Sequence, residues 1–257
     1  MTPHASRLAP YVAVIGGTGM NEWPGLSIQS QKKVSTPFGE PSAPLVHGRI
    51  YGVDVISLAR HGAGHKLPPH KINYRANLWA LKDAGVKDVI AIAAVGGIAK
   101  NLPPAAVGVP DDLIDYSYGR EHSYSDGAGQ ALQHADFSEP YSKPVRAALL
   151  KGAKQAKVKV VNGGVMGVTQ GPRLESPAEI RRLKRDGCTM VGMTGMPEAG
   201  LARELDLNYA ALAVSVNWAA GLGSGDIHGE IEKFIADGMA KVRAILGKSL
   251  PILAAIR

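Results

Sequence analysis

Residues 89–95 read Val-Ile-Ala-Ile-Ala-Ala-Val, and the run stops at Gly96-Gly97. A strand with one wet face alternates polar and apolar residues. A strand that is apolar at nearly every position is buried on both faces, which requires helices packed on both sides of its sheet. Residues 209–216, Tyr-Ala-Ala-Leu-Ala-Val-Ser-Val, have the same character. These two runs restrict the chain to a helix-covered sheet.

The rest of the pattern agrees. Tyr11 to Ile15 is a short β-branched run that feeds the turn Gly16-Gly17-Thr18-Gly19, and Val53 to Leu58 is a second, ending at Arg60-His61-Gly62. Asn73 to Ala84 carries Tyr74, Leu78 and Leu81 at helical spacing, and Gly85 ends it. Val158–Val161, Val165–Thr169 and Met190–Met193 read as strands. Ser176-Pro177-Ala178-Glu179 is a capping box with proline at the first helical position, closed by Gly187. Pro197 to Leu205 reads as a helix. From about Ile227 to Leu246 a last helix carries Ile231, Phe234, Ile235, Met239 and Val242 as its stripe. Strands and helices alternate, so the fold class is α/β. No linker or repeat divides the sequence, and residues 1–257 read as one domain.

Composition removes several function classes. No run of about 18 apolar residues exists, so no membrane-spanning helix is expected. Met1 to Pro10 lacks the apolar core of a secretory signal, and a single cysteine, Cys188, permits no intrachain disulfide. The chain therefore reads as cytoplasmic. The formal charge of +7 admits anionic partners, but the basic residues are scattered. Their densest run, Arg181, Arg182, Lys184 and Arg185, reads as a solvated helix face, and no zinc-finger spacing or aromatic RNA-binding motif accompanies it. Neither nucleic acid nor a membrane is an expected partner.

In α/β folds ligands collect at the carboxyl ends of strands. The residues found there are Gly17-Thr18-Gly19, Arg60-His61, Ala94-Val95-Gly96, Thr194 and Asn217. Singly, Thr18 and Thr194 read as turn residues and Arg60 as a surface cation. Together, two hydroxyls, an arginine fork, a histidine and glycine-exposed amides suit a dianion such as phosphate. Other readings of the glycine turn fail. Glu22 stands where a dinucleotide fingerprint needs its third glycine, and there is no Gly-Lys-Ser/Thr and no Gly-x-Ser-x-Gly. Gly62 and Gly64 lie between His61 and His65, which argues against a helical zinc face. His134 and His228 mean little by themselves.

Six stretches in chain order make the sequence resemble the trimeric nucleoside phosphorylases, in particular their 5'-methylthioadenosine phosphorylase branch. They are Ile15-Gly16-Gly17-Thr18-Gly19, Thr36-Pro37-Phe38-Gly39, Leu58-Ala59-Arg60-His61-Gly62, Asn73 to Leu81, Gly171-Pro172-Arg173 and Met193-Thr194-Gly195-Met196-Pro197-Glu198. The resemblance implies a mixed, barrel-like central sheet surrounded by helices, a homotrimer, and a site near a subunit boundary. It implies that nucleoside and orthophosphate give free base and pentose 1-phosphate, with phosphate as co-substrate and no cofactor or metal. By that resemblance Thr18, Arg60, His61, Ala94 and Thr194 form the phosphate site and Met193 underlies the ribose. His134 (lent by a neighbouring subunit) and His228 flank the 5' substituent. Leu174, Glu175, Asn217, Ala219 and Ile231 complete the nucleoside site, and Asn217 and His61 are the expected catalytic residues.

Three departures sharpen the expectation. Adenine-specific members of that branch carry acids where this chain has Asn217 and Ala219, whereas the 6-oxopurine branch carries a glutamate and an asparagine at the positions of Glu175 and Asn217. A carboxylate accepts the N1 proton of hypoxanthine or guanine and repels the bare N1 lone pair of adenine, and Asn217 can serve O6 or N7. The competing role for Glu175 is a pair with Arg173 or a cap on the following helix. Ala93 replaces a threonine that usually touches phosphate. Ile227 and Ile231 suit a thiomethyl group, while His228 suits a 5'-hydroxyl. S-methyl-5'-thioinosine is the expected substrate; inosine or guanosine, and 5'-methylthioadenosine, are the alternatives. A non-catalytic nucleoside sensor on the same fold is the other class.

Overall fold

A computed structural model describes residues 12–17, 23–126, 132, 134–223 and 226–256. Its centre is the apolar run. Strand β5 (Asp88–Gly97) pairs in parallel along its whole length with β11 (Asn208–Trp218). Side chains alternate across a strand, and here both faces are dry. Val89, Ala91, Ala93 and Val95 face one core, with Tyr74, Leu78 and Leu81 of helix α1 (Tyr74–Asp83). Ile90 and Ile92 face the other, with Val242, Ile245 and Leu246 of the C-terminal helix.

On its second edge β5 changes partner. Val12 to Ile15 of β1 (Val12–Gly16) run parallel to residues 88–91, and β4 (Val53–Ala59) lies outside β1. At Gly96 and Gly97 the neighbour is instead β10 (Cys188–Gly192), antiparallel. Between these two pairings the edge of β5 from Ile92 to Val95 is left without a strand, and the sheet forks there. The β1 arm continues through β4 to β3 (Leu45–Ile50) and β2 (Ser27–Lys32). The β10 arm continues to β9 (Val165–Val168) and β7 (Asp112–Asp115), and β11 carries β6 (Val107–Val109) and β8 (Val160–Asn162). The result is a mixed, eleven-stranded sheet covered by helices.

Helix α2 (Lys143–Gln155) packs with α5 (Ile227–Ala255) on one face, and α4 (Gly195–Glu204) joins α1 on the other. Helix α3 (Pro177–Arg185) has both halves of its capping box, with Ser176 and Glu179 each closing on the other's backbone. Its residues Arg181, Arg182, Lys184 and Arg185 are exposed, a solvated face. Helix α5 runs nine residues past Leu246 despite Pro251, because Leu250 and Leu253 continue the stripe at 0% exposure. Their burial outweighs an interior proline, which costs about 3 kcal/mol.

Candidate functional site

A cavity of about 390 Å³ opens at the fork, a size suited to a small ligand. The uncovered edge of β5 supplies Ala93, Ala94, Val95 and Gly96, and the segments after β4 and β10, with Asn217 near the end of β11, supply most of the polar groups.

Arg60 follows β4 and is 1% exposed. Its Nε and Nη2 donate to the two carboxylate oxygens of Glu198, each at 2.7 Å, and Nη1 donates to Ile92 O at 2.8 Å, on the uncovered edge of β5. Tyr209 Oη donates to the same carboxylate at 2.8 Å. Burial works against the Arg60 charge, and the Glu198 carboxylate more than offsets it, raising its pKa. Burial and then Glu198 push the Tyr209 hydroxyl well up, so it stays a donor. Arg60 is therefore no surface cation. Three of its five N–H groups are committed to Glu198 and Ile92, and Arg60 is among the residues that line the cavity. Gly17 makes room for it: a Cβ there would lie 2.6 Å from Ile92 O and 3.1 Å from Arg60 Nη1.

His61 turns Nδ1 to Leu67 O at 2.8 Å. A carbonyl only accepts, so Nδ1 carries the proton. Burial, helped by the charges of Arg60 and His65 and opposed by the Leu67 bond, lowers its pKa to about 4, leaving a neutral ring. His65 stacks on it with centroids 4.1 Å apart. Thr194, 9% exposed, precedes α4 and makes no capping hydrogen bond with its hydroxyl. The helical backbone of α4 is interrupted at Met196 (φ -121°, ψ 143°), so it is the Thr194 side chain that this segment offers to the cavity.

Glu175, Asn217, Leu174 and Ala219 line the same cavity. Glu175 neither pairs with Arg173 nor caps α3. Arg173 forms a two-pronged pair with Glu179, at 2.9 and 2.7 Å, and Glu175 accepts from Thr169 Oγ1 at 2.6 Å. Asn217 sits just beyond a register shift in the β5–β11 pairing. Its Nδ2 donates to Trp218 O at 2.7 Å, leaving Oδ1 and one N–H. Trp218 N donates in turn to Glu230 Oε2 at 2.8 Å. This anchors α5, whose Ile227 and Ile231 make an apolar end wall.

The fork thus gathers Arg60, His61, Ala94, Leu174, Glu175, Met193, Thr194, Asn217, Ala219 and Ile231 around one cavity. His228 is exposed and is not among the residues that line it, although its helix neighbours Ile227 and Ile231 are. His134 is also exposed and away from this cavity. Thr18 lies outside the described residues.

Sequence reasoning missed several participants. Glu198 appeared only as the end of a motif, and nothing local tied it to Arg60, 138 residues away. Arg120, 9% exposed, donates to the carbonyls of Met193 at 2.9 Å, Met196 at 2.5 Å, Thr169 at 3.2 Å and Gln170 at 2.7 Å. It staples the segment after β9 to that after β10, so it holds the two walls together. Residues 65–69, His-Lys-Leu-Pro-Pro, also line the cavity. Their Gly62 and Gly64, both at positive φ, were the available signal of a shaped loop.

The fold and this site define an enzyme of the nucleoside phosphorylase type. A methylthioadenosine phosphorylase from Schistosoma mansoni, solved in its apo form, superposes with a TM-score of 0.87 at 30% identity, covering 95% of this chain and 91% of that one. The profile described as the phosphorylase superfamily matches residues 11–251, and the chain belongs to that superfamily. A relative from Pseudomonas syringae pv. tomato, described as a probable S-methyl-5'-thioinosine phosphorylase, is 48% identical over 239 residues, 93% of this chain and 97% of its own. One from Xanthomonas campestris pv. campestris with the same description is 51% identical over 212 residues, 82% of this chain and 85% of its own.

Proposed function

We propose that this protein catalyses phosphorolysis of S-methyl-5'-thioinosine, giving hypoxanthine and 5-methylthioribose 1-phosphate. The observation that carries the reading is the division of one cavity into three chemistries. Arg60, His61 and Thr194 supply donors, Glu175 and Asn217 supply a carboxylate and an amide, and Ile227 and Ile231 supply apolar surface, all lining the same cavity.

In this reading phosphate lies against Arg60, the Thr194 hydroxyl, the Ala94 backbone and Thr18, beside His61. As the C1'–N9 bond breaks, its electron pair passes to the purine and C1' becomes oxocarbenium-like. The dianion stabilises that charge, and one of its oxygens then bonds to C1'. Asn217 relieves the charge of the departing base by hydrogen bonding at N7 or O6, and the proton the base gains balances the one that hydrogenphosphate gives up to solvent on becoming the sugar phosphate. Glu175 accepts N1–H of the 6-oxopurine; adenine would set two acceptors against each other there. Met193 underlies the ribose. No enzyme nucleophile or cofactor is invoked, since orthophosphate supplies the bonding oxygen. His134 of a neighbouring copy would complete the 5' corner of a cytoplasmic homotrimer.

The outward position of His228 and the isoleucine wall favour a thiomethyl group over a 5'-hydroxyl. The 6-oxopurine reading also agrees with the two relatives' names. Phosphate-dependent release of free base, followed by absorbance for methylthioinosine, methylthioadenosine, inosine and guanosine side by side, tests the assignment. Methylthioinosine should be cleaved fastest by a wide margin. Comparable rates on methylthioadenosine refute the base-reading argument, and binding without base release refutes catalysis.

A further inference from the structure

Glu175 stands between two cavities. One is the site. The other, of about 450 Å³, opens outward and is lined by Tyr116, Tyr118, Thr169, Arg173, Glu179 and Arg182. Thr169 lines only the outer one. Two arginines on the outer side would draw an untethered carboxylate away from the nucleoside cavity.

Both arginines have other carboxylates. Arg173 is held by Glu179, whose place is fixed by the Ser176 backbone N–H donating to it at 2.7 Å. Arg182 lies 3.7 Å from Asp186 and over the Tyr116 ring. Glu175 is itself tethered: the 2.6 Å bond from Thr169 Oγ1 takes Oε1 on the side of the outer cavity and fixes the carboxylate against turning further that way. A hydroxyl has one proton to give, and the charged acceptor at 2.6 Å takes it in preference to Gly192 O at 3.4 Å. Thr169 is well fixed: its N–H donates to Gly192 O at 2.9 Å and its carbonyl accepts from Arg120 Nη2 at 3.2 Å. Glu175 Oε2 has no partner among the described residues.

We propose that Thr169 is a positioning residue for base selection: it ties one oxygen of Glu175 to the end of β9 and leaves the other to accept N1–H of a 6-oxopurine. The proposal rests on the reading of Glu175 as the group that meets the base. Thr169 touches no substrate and acts only through Glu175.

Four variants test it: Thr169→Val, which keeps the shape and removes the hydroxyl, Thr169→Ser, which restores it, Glu175→Gln, and Thr169→Val with Glu175→Gln. Hydrogen bonds to charged groups are worth enough that Thr169→Val should lower kcat/KM for methylthioinosine about tenfold. The loss should fall mainly on nucleoside KM, with phosphate KM and methylthioadenosine turnover unchanged. Thr169→Ser should recover most of it, and in the Glu175→Gln background Thr169→Val should cost nothing further. The inference fails if Thr169→Val stays within twofold of wild type, or if it costs the same factor with Glu175 already replaced. If Glu175→Gln itself leaves methylthioinosine activity intact, the base-reading role of Glu175 is refuted and the Thr169 inference falls with it. A Glu175→Gln loss without a Thr169→Val loss refutes only the latter.

Discussion

The Arg60–Glu198 pair allows stability and function to be separated. Both side chains are essentially closed to solvent, at 1% and 0% exposure, and the pair makes two bonds of 2.7 Å. Removing one member of a buried ion pair strands the other charge and costs about 3–5 kcal/mol, whereas replacing both by apolar residues of similar volume is often neutral. Glu198→Leu should therefore destabilise by about 3–5 kcal/mol, leaving Arg60 with Ile92 O as its one remaining protein acceptor among the described residues. For a chain of this size that corresponds to a fall in Tm of roughly 6–20 °C. Adding Arg60→Met should return most of the loss. What persists is the orphaned Tyr209 hydroxyl, worth about 1–3 kcal/mol, which Tyr209→Phe should remove, and the Ile92 carbonyl that Arg60 had served. Urea unfolding of the wild type, the single variant, the double and the triple gives the cycle, and phosphate-dependent base release is measured on the same samples. The double and triple variants should be folded and inactive, because the anion has lost its guanidinium. Two results would refute the reasoning: a double variant as unstable as Glu198→Leu, which denies the coupling, or a stable double variant that still performs phosphorolysis, which denies Arg60 its place at the anion.

Asn217→Asp should shift the kcat/KM ratio toward adenine nucleosides by about tenfold or more, since a carboxylate accepts the exocyclic amine that O6 replaces; an unchanged ratio in a four-substrate assay would exclude Asn217 from the base. Ile231→Ser should lower kcat/KM for methylthioinosine several-fold while leaving inosine nearly unaffected, as a polar wall loses apolar contact with the thiomethyl group; equal losses would remove Ile231 from the 5' corner. His61 has a folded pKa of about 4 against 6.5, because of burial and the neighbouring charges of Arg60 and His65. A depressed pKa gives stability that is complete above pH 6.5 and is lost as pH falls toward 4, on the order of 2 kcal/mol after allowing for partial exposure. His65 is lowered in the same direction. Tm should fall across that window, and His61→Gln should flatten the profile without abolishing it; an identical profile would show that His61 does not titrate as its surroundings require.

What was legible in the sequence was whatever is local. The dry runs of β5 and β11 specify the covered sheet, and Ser176-Pro177-Ala178-Glu179 specifies the start of α3, because periodicity and caps act over a few residues. Strand β2 escaped notice because Ser27–Lys32, on the outer edge of the sheet, is almost wholly exposed and shows no alternation. Helix α2 was overlooked although Ser142 caps it and Val145, Ala148 and Leu149 form its buried face. At the site, strand ends pointed to Arg60, Thr194 and Asn217. Nothing local could reveal that Arg60 is neutralised by Glu198, that Arg120 joins two walls, or that Thr169 holds Glu175, since these pairings are created by the fork.

These pairings share a logic. Arg60 gives one edge of its fork to Glu198, His61 gives Nδ1 to Leu67, Asn217 gives an N–H to Trp218, and Glu175 gives Oε1 to Thr169. Each of these four groups thus spends part of its hydrogen-bonding capacity on the fold and keeps the remainder, already oriented, for the ligand proposed above. Preorganised dipoles need not rotate as charge develops, which is where electrostatic stabilisation of a transition state gains over water. If Glu175 meets the base as proposed, the same fixity would make the site selective: a base offering a lone pair there would not be accommodated by turning the carboxylate, because the Thr169 bond opposes the turn. It also fixes where anion affinity comes from. Glu198 offsets the charge of Arg60, so a dianion bound as proposed would gain chiefly from aligned donors at the fork and little from net positive potential. The +7 on the chain is then largely a property of its wet surface, as the exposed cations of α3 illustrate.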